Sequence, residues 1–125
     1  MPLRESGPVV KLTEAAPPPP LAIDVATVDP VTVTVAVTGE IDMLTAEQLR
    51  GALTEAMETR LPRCLVMDMA GVTFVDAAGM SALIHAYHHA ARLGVGLLLI
   101  NVRRLVFRSL RIADLVDLLH VTPHP

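Results

Sequence analysis

The sequence predicts an α/β fold, in which a mixed sheet of four to five strands begins with an N-terminal β-hairpin and helices pack against it. Three observations support this prediction. Residues 31–38 alternate valines with threonines and one alanine, a period of two that indicates a strand with one buried face. Two later segments repeat apolar residues at helical spacing. Short apolar runs flank these segments, and a strand–helix–strand order favours parallel strands joined by right-handed crossovers.

Composition limits the class of protein. A length of 125 residues suits one domain. Hydrophobic residues make up 52% of the chain, which is enough for a single core. A net charge of −3 gives no sign of nucleic-acid binding, and the single cysteine excludes an internal disulfide. The apolar runs are far shorter than the roughly 20 residues of a membrane-spanning helix. Since the N-terminus also lacks the pattern of a secretory signal, we expect a cytoplasmic protein.

The chain divides into a tail and a domain. Residues 1–20 are predicted to be a flexible, proline-rich tail, because they end in four prolines that favour an extended spacer. We expect the folded domain over residues 21–125. It begins with a hairpin of two strands, Leu21–Val28 and Val31–Thr38, which flank the turn dipeptide Asp29-Pro30.

The remaining elements follow from spacing and from turn residues. A first helix is expected after Thr45, with Gln48 three residues later completing a capping-box pattern. Arg63–Met69 is predicted to be a short buried strand that ends before Gly71. The second helix is expected over Ala77–Leu93, with a core-facing stripe. That stripe comprises Met80, Leu83, Ile84, Tyr87 and Ala91.

Three elements complete the predicted domain. Val95–Ile100 is an apolar run that predicts a buried strand. Arg103–Leu119 is expected to be helical in two pieces, with a break around residues 112–114. Val121-Thr122 is expected to add a short final strand.

The stretch FVDAAG, residues 74–79, leads from the third strand into the second helix. Asp76 is a strong candidate to cap that helix, because its carboxylate accepts hydrogen bonds from free backbone N–H groups. Strand-to-helix turns of this kind often hold phosphates or nucleophiles in α/β proteins. Ala77 and Ala78, however, carry no hydroxyl, thiol or charge. The turn therefore has the shape of a reactive site without a reactive atom.

Three segments together resemble the STAS domain, and most closely its subfamily of bacterial anti-sigma factor antagonists. These are VTGEID at 37–42, TAEQL at 45–49 and VTFVDAAGM at 72–80. The resemblance covers about residues 21–122. It implies a non-catalytic protein that binds an anti-sigma factor with a histidine-kinase-like ATPase fold and thereby releases a sigma factor for transcription.

The resemblance also implies where a phosphorylation switch would lie. In this subfamily the anti-sigma factor phosphorylates the serine immediately before the glycine of an Asp-Ser-Ser-Gly motif, and the modification breaks the complex. The matching position here is Ala78, and Ala77 precedes it. Alanine has no oxygen that accepts a phosphoryl group, so we expect no phosphorylation at this position. Ser81 and Thr73 are the nearest hydroxyls and are weaker candidates for a substitute acceptor.

We expect the partner-binding surface to lie around this turn and to continue along one stripe of the second helix. The expected residues are Asp42, Asp76, Ala77, Ala78, Gly79, Met80, Ser81 and His85. Structural alternatives are an ordinary helix cap for Asp76, a solvated loop acid for Asp42 and a packing requirement for Gly79. The stripe extends to His88 and Arg92, and its alternative is a solvated helix face.

Two clusters of basic or metal-binding residue types remain. His85 with His88 or His89 has the spacing of a metal site, but no local carboxylate or cysteine completes the ligand set, so we expect no metal and no cofactor. The last helix is basic, and either its arginines are a solvated face or they contact an acidic partner. These arginines are Arg103, Arg104, Arg108 and Arg111.

Competing functions remain open. An enzyme is disfavoured, because the sequence has no glycine-rich phosphate loop, no supported nucleophile and no Walker-type lysine. The alternative within the family is a non-catalytic scaffold or accessory STAS module that binds another protein or a nucleotide. A homodimer is also left open.

Overall fold

The computed structural model describes residues 20–125 of the chain. The predicted tail, except for Pro20, lies outside the described residues. Five strands form one mixed sheet in the order β1-β2-β3-β4-β5, and three helices pack against it. The strands are β1 (Ala22–Asp29), β2 (Thr32–Ile41), β3 (Cys64–Val75), β4 (Gly96–Val102) and β5 (Val121–Pro123). The helices are α1 (Ala46–Arg60), α2 (Ala77–Leu93) and α3 (Arg104–Ile112). The predicted fold class is confirmed.

The sheet buries one face beneath the helices. β1 and β2 are antiparallel, as the predicted hairpin requires, and every later pair is parallel. Val35, Met67 and Leu99 lie side by side in register, are fully buried and share one core with the helices. Their neighbours Val66 and Leu98 point to the opposite face and stay partly exposed. The period of two in β2 therefore marks a sheet with one covered face.

The start of α1 differs from the prediction. Thr45 precedes the helix, but its side chain caps no helical N–H, so the predicted capping box is wrong. The buried Thr45 hydroxyl instead donates to the Glu40 carbonyl at 2.7 Å and accepts from the Asp42 N–H at 3.0 Å. Gln48 bonds both backbone groups of Leu21, at 3.0 and 2.9 Å. The Thr45 hydroxyl is thus used by the end of β2 and by Asp42, and the Gln48 side chain by Leu21, which precedes β1, so neither forms the local cap.

β3 is longer than predicted. It continues through Gly71 to Val75, because β2 pairs with it along this whole length, with irregularities in the register. A Cβ at Gly71 would lie 2.4 Å from Thr38 Oγ1, so this glycine allows a close approach between strands rather than ending one. Pairing between β3 and β4 stops earlier, at Asp68 and Ile100.

The helix α2 has the predicted bounds and ends at Gly94, which adopts a left-handed conformation. Its buried face is rotated relative to the predicted stripe. Leu83 is buried as predicted, Ala91 is exposed, and the remaining stripe residues are half-buried. The buried residues are Gly79, Ala82, Leu83, Ala86 and Ala90. Small side chains dominate this face, so the helix approaches its neighbours closely and the larger side chains lie at its flank.

The C-terminal region contains only one of the two predicted helical pieces. α3 ends at Ile112, and residues 113–120 form turns in which Asp114 and His120 have positive φ angles of 62° and 50°. These left-handed residues bound a segment of five residues, 115–119, which contains turns and no second helix. The predicted final strand is present as β5, which pairs with β4. Among the described residues, no helix combines the length and apolarity that crossing a membrane requires.

Candidate functional site

The candidate site forms where β2 and β3 end. Their registers place Glu40 beside Phe74 and Ile41 beside Val75, and the Asp76 N–H donates to the Ile41 carbonyl at 3.1 Å. The loop before α1 and the turn before α2 therefore lie against each other. We define the corner surface as Met43, Leu44, Phe74, Ala77, Ala78 and Ser81.

Asp76 joins the two segments. Its Oδ1 accepts from the Gly79 N–H at 2.9 Å, which is the predicted helix cap. Its Oδ2 accepts from the Met43 N–H at 3.2 Å. Both carboxylate oxygens thus contact backbone groups of the same chain, and the side chain holds the α1 loop against the start of α2.

Asp42 organises the loop before α1. Its Oδ1 accepts from the Leu44 N–H at 2.9 Å and from the Thr45 N–H at 3.2 Å. Asp42 is half-buried, so it is more enclosed than a solvated loop acid. These bonds fold the loop so that Met43 is 76% exposed and Leu44 is 66% exposed.

Gly79 is required by close packing. A Cβ on this residue would lie 2.3 Å from the Ile41 carbonyl oxygen and 3.0 Å from Val75 Cγ1. Gly79 is buried, and the backbone that approaches it belongs to the same chain. Within the expected partner surface, Gly79 therefore lies beneath the accessible residues and supports them, in agreement with the packing alternative.

The accessible part of the site is apolar. Ala77 and Ser81 are exposed, whereas Ala78 and Met80 are half-buried and pack against the core. Phe74 is 47% exposed, pairs with Glu40 of β2 and precedes Asp76 by two residues. Sequence reasoning did not assign a function to Met43, Leu44 or Phe74. The available signal was a pair of large apolar residues, Met43-Leu44, in a loop between two polar ones.

The comparison with protein families identifies the fold family. A family model for the STAS domain matches residues 22–125. The chain belongs to the STAS domain family.

Solved STAS structures show two functional settings for this fold. An anti-sigma factor antagonist from Mycobacterium paratuberculosis is 26% identical, with a TM-score of 0.73, and the match covers 82% of this chain and 86% of that one. A sulfate transporter family protein from Wolinella succinogenes is also 26% identical, with a TM-score of 0.65 and coverage of 81% and 82%. Unphosphorylated SpoIIAA of Bacillus, an anti-sigma factor antagonist, is 18% identical, with a TM-score of 0.68 and coverage of 80% and 87%. The SpoIIAA match supports the fold alone.

The two hydroxyls nearest the turn of this STAS domain are both accessible. Ser81 is exposed one helical turn after Ala78, and Thr73 is exposed on β3. Neither one occupies position 78, immediately before Gly79, where the subfamily has its phosphorylated serine. Their role as substitute phosphoacceptors therefore stays a prediction.

The stripe of α2 that contains His85 borders a groove between α1 and α2. Burial lowers the pKa of His85 below its ordinary value, and the Arg50 guanidinium on α1 lowers it further. His89 Nε2 lies 3.0 Å from Glu58 Oε2, but it is buried without an aligned hydrogen-bond acceptor in residues 20–125. His88 and Arg92 are exposed. Across the same residues, no three His, Cys, Asp or Glu side chains are grouped to hold a metal ion.

Proposed function

We propose that this STAS domain is an anti-sigma factor antagonist. It binds an anti-sigma factor with a histidine-kinase-like ATPase fold, releases a sigma factor for transcription, and carries out no catalysis itself. The observation that carries this proposal is the exposed, apolar corner surface around Asp76, in a chain that is 26% identical to a solved anti-sigma factor antagonist. The resemblance of residues 72–80 to the subfamily motif supports partner contacts at the same turn.

The corner surface has the character of a protein-binding site. Met43, Leu44 and Phe74 are large apolar side chains with little cover, and adjacent exposed apolar residues mark interaction surfaces. Asp76 and Gly79 fix the backbone beneath them through hydrogen bonding and close packing. A preorganised surface loses little conformational entropy on binding, which favours affinity.

We further propose that this surface lacks the phosphorylation switch of the subfamily. A phosphoserine at position 78 would place a charge of about −1.5 to −2 beside the Asp76 carboxylate and inside the interface. The side chain of Ala78 is a methyl group and cannot be phosphorylated. The protein therefore stays in its binding-competent form at this position, whatever the activity of the partner kinase.

Affinity measurements on two sets of variants test the binding surface. Calorimetric titration is carried out against each purified kinase-like anti-sigma factor of the source organism. The double variant Met43→Ala with Leu44→Ala should lower affinity for the cognate partner by tenfold or more, since central apolar residues contribute about 2 kcal/mol or more at interfaces. Ile112→Ala is the matched control, because Ile112 is 77% exposed but lies on α3. Equal affinities for the double variant and the parent would contradict the proposal that the corner surface binds the partner.

Incubation with the partner and ATP tests the missing switch separately. The parent protein should take up no phosphate, whereas Ala78→Ser should be labelled and should then dissociate. Ala78→Asp should weaken binding without ATP. Labelling of the parent would contradict the proposal, and the variants Ser81→Ala and Thr73→Ala would identify the acceptor.

A second candidate function is an accessory STAS module that binds another protein or a nucleotide without catalysis. The 26% identity to the Wolinella succinogenes sulfate transporter family protein supports it. The same titrations separate the two functions. An accessory module would bind none of the kinase-like anti-sigma factors.

A further inference from the structure

A crevice opens at the carboxyl ends of β3 and β4, on the same sheet edge as the corner surface. The two strands pair only as far as Asp68 and Ile100, although β3 continues to Val75 along β2. The divergence is fixed by Asn101, whose φ angle is 57° and whose Nδ2 donates to Asp68 Oδ1 at 3.1 Å.

The crevice leads into a cavity of about 630 Å³ with a basic lining. The lining residues are Thr73, Arg103, Arg104, Leu105, His124 and Pro125. The polar side chains among them are a hydroxyl, two guanidinium groups and an imidazole, and no acidic side chain is present. Such a set consists of hydrogen-bond donors suited to an anion.

Two contacts hold the basic groups at the crevice. Arg103 Nε donates to the Ala70 carbonyl of β3 at 2.6 Å, which anchors its guanidinium between the two strands. The His124 N–H donates to the Val102 carbonyl of β4 at 2.8 Å, so His124 lies beside the start of α3. The basic side chains therefore come from positions that the sheet itself fixes.

The positive charge of this region is not neutralised within residues 20–125. None of the four arginines at positions 103, 104, 108 and 111 forms an ion pair with a carboxylate there. The whole chain is nevertheless acidic, with a net charge of −3. The exposed guanidinium groups of Arg103 and Arg104 raise the local concentration of anions, whereas His124 Nδ1 already lies 2.9 Å from the Pro125 backbone oxygen.

We propose that this crevice is a binding site for a phosphate-bearing ligand. The planar guanidinium groups of Arg103 and Arg104 bind phosphate oxygens with paired N–H donors, and the Thr73 hydroxyl donates a further bond. The site is open to solvent and has a volume of about 630 Å³, which is large enough for a small phosphorylated molecule or a lipid headgroup. The site is distinct from the corner surface and does not depend on the proposed function.

Titration of the full chain with inorganic pyrophosphate tests this site. Amide NMR shifts should saturate and should cluster at Thr73, Leu105 and His124. Arg104→Ala should weaken binding about tenfold, because charge-assisted hydrogen bonds are the strong ones. Arg63→Ala is the matched control, since Arg63 is also exposed but precedes the opposite end of β3, and it should keep the parent affinity.

Vesicles that contain phosphatidic acid separate the two sources of phosphate. Sedimentation with vesicles that pyrophosphate competes away would assign a lipid headgroup, and pyrophosphate binding without sedimentation would assign a free ligand. Absence of saturation, or an equal loss of affinity in Arg104→Ala and Arg63→Ala, would overturn the proposal. Sedimentation that pyrophosphate does not reduce would exclude a lipid headgroup as the ligand of the crevice, and together with absence of saturation it would overturn the proposal.

Discussion

The two strand-to-helix connections at this edge of the sheet are neighbours with opposite construction. Four residues, 42–45, join β2 to α1, whereas Asp76 alone joins β3 to α2. The longer connection is held by polar bonds around the buried Thr45 hydroxyl, and it exposes Met43 and Leu44. The shorter one is held by close packing at Gly79 and exposes only small side chains.

The two connections differ in role: the shorter one supports the surface, and we expect the longer one to contact a partner. The one-residue turn has no freedom to present large side chains, but it fixes the start of α2 against Ile41. The four-residue loop supplies the large apolar side chains, and Asp76 fixes its position through the Met43 N–H. We therefore expect the Asp-Ala-Ala-Gly turn to contribute mainly rigidity to the proposed partner surface, and the neighbouring loop to contribute contact area.

Gly79→Ala gives the strongest test of the closely packed turn. The added methyl group would lie 2.3 Å from the Ile41 carbonyl, so α2 or the end of β2 must move. We expect the free energy of unfolding to fall by about 3 kcal/mol, since overpacking a tight site is destabilising. Urea denaturation followed by circular dichroism measures this change.

Gly51→Ala is the control for that substitution. Gly51 is an exposed helical residue of α1, and an added Cβ would meet no atom within 4 Å. Here alanine should raise the free energy of unfolding by about 0.5–1 kcal/mol, because glycine is entropically unfavourable inside a helix. Equal effects at the two glycines would show that Gly79 is not a packing requirement.

Thr45→Val tests the hydrogen-bonded loop. The substitution keeps the shape of the side chain but leaves the Glu40 carbonyl and the Asp42 N–H without the hydroxyl. We expect a loss of about 2 kcal/mol in the free energy of unfolding, since an unsatisfied buried polar group costs about 1–3 kcal/mol. Denaturation by urea again provides the measurement.

Thr59→Val is the matched control for the hydroxyl. Thr59 lies on the exposed side of α1, and its hydroxyl bonds only the Glu55 carbonyl within the helix. Surface changes of this kind stay within about 0.5 kcal/mol. A loss at Thr59 as large as that at Thr45 would mean that the buried network does not stabilise the loop.

The sequence predicted the elements whose signal is local. The valine alternation of β2 and the bounds of α2, between Asp76 and Gly94, follow from spacing and from cap residues, and the structure confirms both. The capping box at Thr45 and Gln48 failed because Gln48 bonds Leu21, which lies 27 residues away, and the Thr45 hydroxyl bonds the Glu40 carbonyl near the end of β2. The residue types at positions 45–48 do not indicate either contact. Gly71 was misjudged for a related reason, since the close approach of Thr38 depends on the strand order.

The candidate site was only partly visible in the sequence. The turn at Asp76 could be found because its cap and its glycine lie within four residues. Met43 and Leu44 carried only a weak signal, as two large apolar residues between polar ones, because their exposure depends on how Asp42 and Asp76 fold the loop. Apolar residues signal burial by default, and only the tertiary structure shows which of them face solvent.

The contact between the helices that follow the two connections should respond weakly to pH. His85 on α2 faces α1, and its pKa is lowered in the folded state, first by burial and then by the Arg50 guanidinium. His89 and Arg92 lower this pKa further by smaller amounts, whereas Glu47 raises it. Protonation therefore favours the unfolded chain, whose histidine titrates near pH 6.5. The stabilisation that neutral His85 provides is complete above that value and is lost as the pH falls below it.

Urea midpoints measured between about pH 5 and pH 8 should show this loss as a small decline on the acidic side. His85→Gln should flatten that part of the profile, because glutamine does not titrate. His88→Gln changes an exposed histidine of the same helix and is expected to leave the decline in place. If the urea midpoints of the two variants depended on pH in the same way, the pH response would arise elsewhere than at His85. The contact between α1 and α2 would then be as insensitive to protonation as the glycine-packed turn that begins α2.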